Sequence, residues 1–338
     1  MPETVILRRS ARWGAHGAPH GRGVGHSGSL RSGRVGFGAK PGLDTELGIA
    51  VQVTVLGSGS GGNATLLTYR DTQVLIDVGL SYREVARRLT EVGVDPAGVS
   101  AILLTHAHGD HTRGARLFSR RHAVPVYSTA AVRAEWTASD LTEWRELMPS
   151  RPLDLGGLCF RSFPIPHDAS ETVAFRIETP EGAIGFATDI GVVTGQLIEL
   201  FTDCRVLVIE SNHAVELLRV SPYDASTRSR IASAQGHLSN ESLAAFIRDD
   251  LGASVRCLVL VHLSRVNNVP EIAELTCREA LTDSGRTDVE VVVTRQDRVA
   301  PTVDLGAWVP RSGLAVEFAQ AGLPFTGPLQ GSLAENRR

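Results

Sequence analysis

Residues 101–111 read Ala-Ile-Leu-Leu-Thr-His-Ala-His-Gly-Asp-His, an apolar run that stops on a cluster of imidazoles and a carboxylate. The run Ala101 to Leu104 predicts a short buried strand. In extended chain, side chains two apart leave on the same face, so His106 and His108 point together. Gly109 permits a sharp turn, and Asp110 and His111 follow it before a segment of helical character. Four potential metal ligands within six residues are enough to reach two ions a few ångström apart. Imidazole with carboxylate suits zinc, manganese or iron, and a soft thiolate site is excluded. One histidine here would read more simply as a satisfied core or turn residue. Four such residues at a strand end read as a metal motif.

The rest of the chain supplies more strand ends of this kind. Residues 1–48 hold 11 glycines, seven basic residues and three acids, with almost no apolar periodicity. They predict a disordered Gly/Arg-rich extension, since a basic arm for nucleic acid has little signal alone. The globular domain is expected over 49–300, and a C-terminal tail over 301–338. Ala50–Leu56 predicts a strand running into Gly57-Ser58-Gly59-Ser60-Gly61-Gly62-Asn63. That loop satisfies GxGxxG, with Asp77 at the distance of a ribose-binding acid. A dinucleotide fold, however, needs a helix to open at the third glycine. Two more strands follow instead, Ala64–Tyr69 and Val74–Asp77, so no nucleotide cofactor is expected. The loop's amides remain suited to a phosphate.

Asp77 ends an apolar strand in Ile76-Asp77-Val78-Gly79, and it reads either as a partner to a metal-bound imidazole or as a cap for the helix Tyr82–Val92. A helix over Thr112–Arg121, a strand over Val124–Tyr127 and helices over 129–148 with Trp136 and Trp144 come next. The strand Phe160–Ile165 leads to Pro166-His167, a histidine set by a rigid turn. Strands Val173–Glu178 and Ala183–Ala187 follow, the second running into Thr188-Asp189. The strand Arg205–Ile209 ends in Glu210-Ser211-Asn212-His213, ahead of helical segments at Val215–Arg219 and 223–233. Gln235-Gly236-His237-Leu238-Ser239-Asn240 precedes a helix over Glu241–Leu251, with Ser239 or Asn240 as its N-cap. Cys257–Val261 is the last strongly apolar strand and ends in His262-Leu263-Ser264. A helix (Pro270–Leu281) and a strand (Val289–Val293) close the domain.

Residues 103–111 resemble the HxHxDH signature of the metallo-β-lactamase superfamily, and the other strand ends fall in its order. The resemblance implies an α/β fold, a four-layer αββα sandwich of two mixed β-sheets flanked by helices. It implies that His106, His108 and His167 hold one divalent ion, that Asp110, His111 and His262 hold a second, and that Asp189 bridges them. Asp77 would orient the ligand loop. Two such ions, zinc or manganese with iron possible, would share a hydroxide at neutral pH, so the expected chemistry is hydrolysis. Asp at 189, in place of Cys, argues against class B β-lactamases. The 73 positions from Asp189 to His262 leave no room for the long inserted domain of the RNase J and polyadenylation-factor nucleases.

The side motifs Ser58–Asn63, His167-Asp168-Ala169, Glu210–His213, Gly236–Asn240 and His262-Leu263-Ser264 resemble the YycJ/WalJ group, regarded as 5′→3′ DNA exonucleases. Ala214 departs from that group, where an acid is expected. The resemblance implies DNA as substrate, with Asp110 and Asp189 at the reacting centre. His237 or His213 would act as proton donor, and Ser60, Asn63 and Ser264 would hold a neighbouring phosphate. The alternatives are a small-molecule hydrolase of the same fold, a lactonase or a glyoxalase II-like thioesterase, and a non-catalytic binding module. The net charge of −3 does not advertise a nucleic-acid binder, although 33 of the 34 basic residues are arginine, which suits phosphate better than lysine does. Four dispersed cysteines without a CxxC pair, no leader pattern and no long apolar run lead to the expectation of a cytoplasmic protein without a membrane span.

Overall fold

A computed structural model describes residues 50–136, 143–149 and 151–306. The chain opens with β1 (Gln52–Gly57), β2 (Ala64–Tyr69) and β3 (Thr72–Ile76), then α1 (Tyr82–Glu91), β4 (Ala101–Leu103), α2 (Gly109–Thr112), α3 (Ala115–His122), β5 (Val126–Ser128), α4 (Ala130–Ala134) and β6 (Trp144–Glu146). The second half runs β7 (Leu153–Leu155), β8 (Leu158–Ile165), β9 (Thr172–Glu178), β10 (Ala183–Ala187), α5 (Gly195–Phe201), β11 (Cys204–Glu210), α6 (Val215–Arg219), α7 (Ala225–Ile231), α8 (Asn240–Asp249), β12 (Cys257–Val261), α9 (Pro270–Asp283), β13 (Glu290–Val293) and β14 (Val303–Asp304).

These strands form two seven-stranded sheets, ordered β14-β1-β2-β3-β4-β5-β6 and β13-β12-β11-β10-β9-β8-β7. In the first, pairs from β14 to β3 are antiparallel and pairs from β3 to β6 are parallel. The second repeats the pattern, antiparallel from β7 to β10 and parallel from β10 to β13. The expected αββα sandwich of mixed sheets is the architecture found.

Three apolar layers explain why the central strands read as unbroken hydrophobic runs. Residues alternate in direction along a strand, and here both faces are covered. Val74, Ile76, Ala101 and Leu103 from one sheet meet Phe160, Phe175, Val206 and Val208 from the other. Their neighbours Leu75 and Ile102 turn outward to Val85 and Leu89 of α1 and Phe118 of α3. Leu207, Ile209, Leu258 and Leu260 turn outward to α5, α8 and α9. Cys204, Cys257 and Cys277 lie buried in these layers as free thiols, and Cys159 is half-buried. Among the described residues no helix is long and apolar enough to cross a membrane.

Three sequence expectations are corrected, and one pair of alternatives is resolved. The helix expected over Thr112–Arg121 is two helices broken at Gly114, where a side chain would meet the Leu80 carbonyl oxygen at 2.3 Å. Of the helices expected over 129–148, α4 covers only Ala130–Ala134, and Trp144 lies in the edge strand β6. The indole of Trp144 donates to Ser128 Oγ (2.9 Å), and the open edge of β5 takes the segment as a strand. Positions 137–142 lie outside the described residues. Within the tail expected from residue 301, Val303–Asp304 forms β14, paired with β1, and Leu305 is fully buried, while positions 307–338 lie outside the described residues. A two-residue strand carries no periodicity to read. Finally, Ser239 rather than Asn240 caps α8, accepting the amide of Ser242 (3.0 Å). The extension expected over 1–48 lies outside the described residues.

Gly79 couples the sheet to the ligand loop. The Asp110 carbonyl oxygen stands 1.5 Å from where a Cβ on Gly79 would be, and the Gly79 amide donates to the Asn63 carbonyl (2.7 Å). The obstruction is backbone, which cannot rotate aside. Gly79→Ala is therefore expected to cost about 3 kcal/mol of stability or to displace Asp110. Urea unfolding checks the first outcome and loss of bound metal the second; an unchanged midpoint with full metal content would refute the coupling.

Candidate metal centre

The C-terminal ends of β3, β4, β10, β11 and β12 meet at one edge of the two sheets, where ligands bind in open parallel sheets generally. Among the described residues, three of the six non-glycine positions with left-handed backbone stand there: Asp77 (φ 60°), Asp189 (φ 58°) and His262 (φ 56°). Such backbone is costly for these residue types and persists where surrounding bonds impose it. The main chain of His262 shows these bonds. Its amide donates to Ser58 Oγ (2.7 Å), and its carbonyl accepts from Asn212 Nδ2 (2.8 Å).

The imidazoles share a common arrangement, with Nδ1 tied to the protein. His111 Nδ1 lies 2.7 Å from Asp77 Oδ2, and Asp77 also receives the amide and hydroxyl of Thr105 (2.9 and 2.8 Å). The hydroxyl of Thr105 is 3.0 Å from His106 Nδ1. His167 Nδ1 is 3.3 Å from the carbonyl oxygen of Gly236. His262 Nδ1 is 2.9 Å from Glu210 Oε1 and 3.1 Å from Asp189 Oδ1. Asp189 reaches His111 Nε2 with its other oxygen (3.0 Å) and lies 3.7 Å from His167 Nε2.

Two triads expected from the sequence are brought together. His106, His108 and His167 offer nitrogens within 4.8 Å of one another, and so do Asp110, His111 and His262 with a nitrogen or a carboxylate oxygen each. Asp189 stands beside members of both. The Nε2 atoms of His106, His167 and His262 are buried without a hydrogen-bond partner among the described residues. Buried polar atoms are rarely left so, and three imidazole nitrogens facing carboxylates fit a divalent cation.

Electrostatics point the same way. Burial opposes charge on His111, yet Asp189 and Asp77 outweigh it and raise its pKa to about 10. For His262 burial is likewise overcome, chiefly by Asp189, and its pKa is raised well above the usual value. His106 and His167 are depressed, burial being the largest cause in each. Burial would raise the pKa of Asp189, but His262 and His111 hold it well below the carboxylate range. Without metal, the centre keeps protons where a cation belongs.

The remaining expected residues separate. His237 belongs to the centre, its Nδ1 at 2.9 Å from Glu210 Oε1. Asn63 does too, with Nδ2 3.0 Å from His111 Nε2 and 3.5 Å from Asp110 Oδ2. Ser264 follows His262, and its hydroxyl accepts the Asn267 amide (3.1 Å). Ser60 is exposed and makes no hydrogen bond among the described residues. His213 is buried 2 % exposed, outside every ligand group, joined through its backbone to Ser239.

Sequence reasoning gave Glu210 no role, yet it is fully buried and organises one side of the centre. Its Oε1 meets His237 and His262, and its Oε2 accepts the amides of Ile190 (2.8 Å) and Leu238 (3.3 Å). The signal that drew attention to Asp77, an acid ending an apolar strand, was present here as well. Asp168 is a second such residue. It lies 3.1 Å from His167 Nε2 and pairs with Arg230.

A partner on the far nitrogen of a metal-bound imidazole supports affinity about 10- to 100-fold, so Asp77→Ala is expected to weaken metal binding by that factor in chelator competition. Uptake must also displace the proton from His111. Below its pKa of about 10, affinity should rise roughly tenfold per pH unit for each proton released. Asp77→Ala should flatten that dependence, since it removes one of the carboxylates that hold the proton. Wild-type affinity for metal that is flat between pH 6 and 9 would contradict this account.

A model of the β-lactamase superfamily domain matches residues 72–263, the stretch that contains every residue from Asp77 to His262. The exodeoxyribonuclease WalJ of Streptococcus pneumoniae serotype 2 (strain D39 / NCTC 7466) is 29% identical over 269 residues, covering 76% of this chain and 99% of that protein. The exodeoxyribonuclease YycJ of Bacillus anthracis is 29% identical over 249 residues, covering 70% of this chain and 91% of that one. Among solved structures, the metallo-β-lactamase fold protein YhfI of Bacillus subtilis superposes with a TM-score of 0.59 at 19% identity, over 75% of this chain and 99% of its own. The family model spans more than half of the chain, and the protein belongs to the β-lactamase superfamily domain family.

Proposed function

We propose that this protein is a divalent-metal-dependent phosphodiesterase that shortens DNA from the 5′ end. The observation that carries the reading is the likeness to exodeoxyribonucleases along 99% and 91% of their lengths. The grouped ligands support the metal dependence. In this reading His106, His108 and His167 hold one ion and Asp110, His111 and His262 a second, zinc or manganese, with Asp189 between them. Divalent ions there supply an activated water at neutral pH and neutralise phosphate charge.

The chain's own residues set the rest. Asp77 and Thr105 fix His111 and His106, and Glu210 fixes His262 and His237. His237 is the proton donor to the leaving oxygen. Burial opposes its charge but Glu210 outweighs it, raising the pKa of the imidazole above its ordinary value. Its Nδ1 is occupied by that carboxylate, which leaves Nε2 to give the proton. Asn63, beside His111, and Ser264, two residues after His262, bind phosphate oxygens.

A cavity of about 310 Å³ adjoins His262, walled by Ser58, Ser264, Arg265, Thr294, Arg295 and others. The two arginines of this wall, Arg265 and Arg295, suit a phosphorylated group better than the acyl chain of a lactone or thioester. A non-catalytic module is disfavoured because no expected ligand is missing. A cytoplasmic setting fits the four free cysteines.

The deciding experiment is digestion of 5′-phosphorylated DNA by the manganese- or zinc-loaded protein, with His111→Ala as control. Progressive shortening that the variant loses is expected. No cleavage by protein shown to hold two metals would overturn the reading. For the proton donor, His237→Ala should lower kcat on DNA at least about 100-fold. It should slow bis(4-nitrophenyl) phosphate far less, since that leaving group departs without a proton. Equal losses on both substrates would remove His237 from the role.

A further inference from the structure

One basic surface leads away from the centre and takes no part in the chemistry above. From His111 to Ala134 the chain has five arginines and no acid, although the protein carries 37 acidic residues and a net charge of −3. Arg113, Arg116, Arg120 and Arg121 are exposed, while Ala115, Phe118 and Ser119 turn into the core. Arg116 and Arg120 stand one helical turn apart on α3, about 6 Å along its axis. The Arg116 guanidinium lies over the half-buried ring of Trp136, 5.7 Å from its centroid. Arg113 donates to the Gly61 carbonyl (2.8 Å), which ties the start of this face to the glycine loop. Arg120 makes no hydrogen bond or ion pair among the described residues.

Side-chain contacts connect this face to the ligands. His108 Nε2 is 3.9 Å from Asp168. Two residues on, the Ser170 hydroxyl donates to Glu135 (2.6 Å). Glu135 precedes Trp136, which lies beneath Arg116. The face therefore reaches the His108–His167 side of the centre, and through Arg113 it also meets the glycine loop.

We propose that the Arg113–Arg116–Arg120 face of α2 and α3, with Trp136, is the track that holds the sugar-phosphate backbone and a stacked base of the DNA strand leaving the metal centre. The proposal rests on the nuclease reading. Arginine forks match phosphate oxygens, the one-turn spacing suits successive phosphates of an extended strand, and an indole gives any base a stacking surface. The aromatic ring and the hydrolytic centre at its end favour a nucleic-acid strand over an acidic protein.

The test is cleavage of a 5′-phosphorylated single strand by the metal-loaded protein over a range of salt, beside hydrolysis of bis(4-nitrophenyl) phosphate, which is too short to reach α3. For Arg116→Ala/Arg120→Ala, kcat/KM on the strand should fall about tenfold or more relative to the small diester. The slope of log(kcat/KM) against log salt should become shallower by about 0.7 per arginine removed. Trp136→Ala should lower strand cleavage about tenfold relative to the diester and leave the salt slope unchanged. Strand cleavage by the double variant with the wild-type slope and the wild-type ratio would overturn the track while leaving the nuclease reading intact. A wild type that hydrolyses the diester yet neither binds nor cuts the strand would overturn both.

Discussion

Three carboxylates lie in the dry interior at the edge of this sandwich, and the centre depends on how each is answered. Asp77, Asp189 and Glu210 are at most 1% exposed, where an unpaired charge costs several kcal/mol. Asp77 is met by the amide and hydroxyl of Thr105 and by His111, and Glu210 by two amides and two imidazoles. Asp189 has His111 and His262 on its two oxygens. Each carboxylate thus fixes an imidazole's Nδ1 or stands ready between Nε2 atoms, and burial makes those preferences strong. The grouped ligands around these carboxylates could hold a divalent ion.

The repeated sheet pattern explains why the acids are where they are. β3 and β10 are the strands at which antiparallel pairing gives way to parallel pairing in their respective sheets. Each is followed by an aspartate in left-handed backbone, Asp77 and Asp189. Strand β4 leads to the His106–His111 loop, and its counterpart β11 leads to Glu210. The two halves contribute unlike residues at like positions. One supplies a ligand loop with its orienting acid, and the other an acid between the histidines and a carboxylate that clamps His237 and His262. A single left-handed turn at a strand end aims a short side chain back toward the sheet edge, which a continuing strand would not do.

Much of this was legible in local order. Each strand end that carried His106, His108, Asp110, His111, His167, Asp189 or His262 was readable because an apolar run stopping on a polar residue fixes both the strand and the side of the sheet where it ends. The sandwich followed from the resemblance of these strand ends, in their order, to the metallo-β-lactamase signature. Glu210 was not picked out, because one acid after a strand looks like any turn residue until His237 and His262 arrive from 27 and 52 positions away. Ser60 and His213 shared motifs with residues of the centre, yet packing left Ser60 exposed and His213 buried outside the ligand groups. The strands β6 and β14 form only because an open sheet edge accepts them, with little pattern of their own. What short-range sequence fixes is the direction and end of each element; which ends meet, and which far nitrogen is left without a partner, is decided by long-range packing that brings unlike segments into one low-dielectric site.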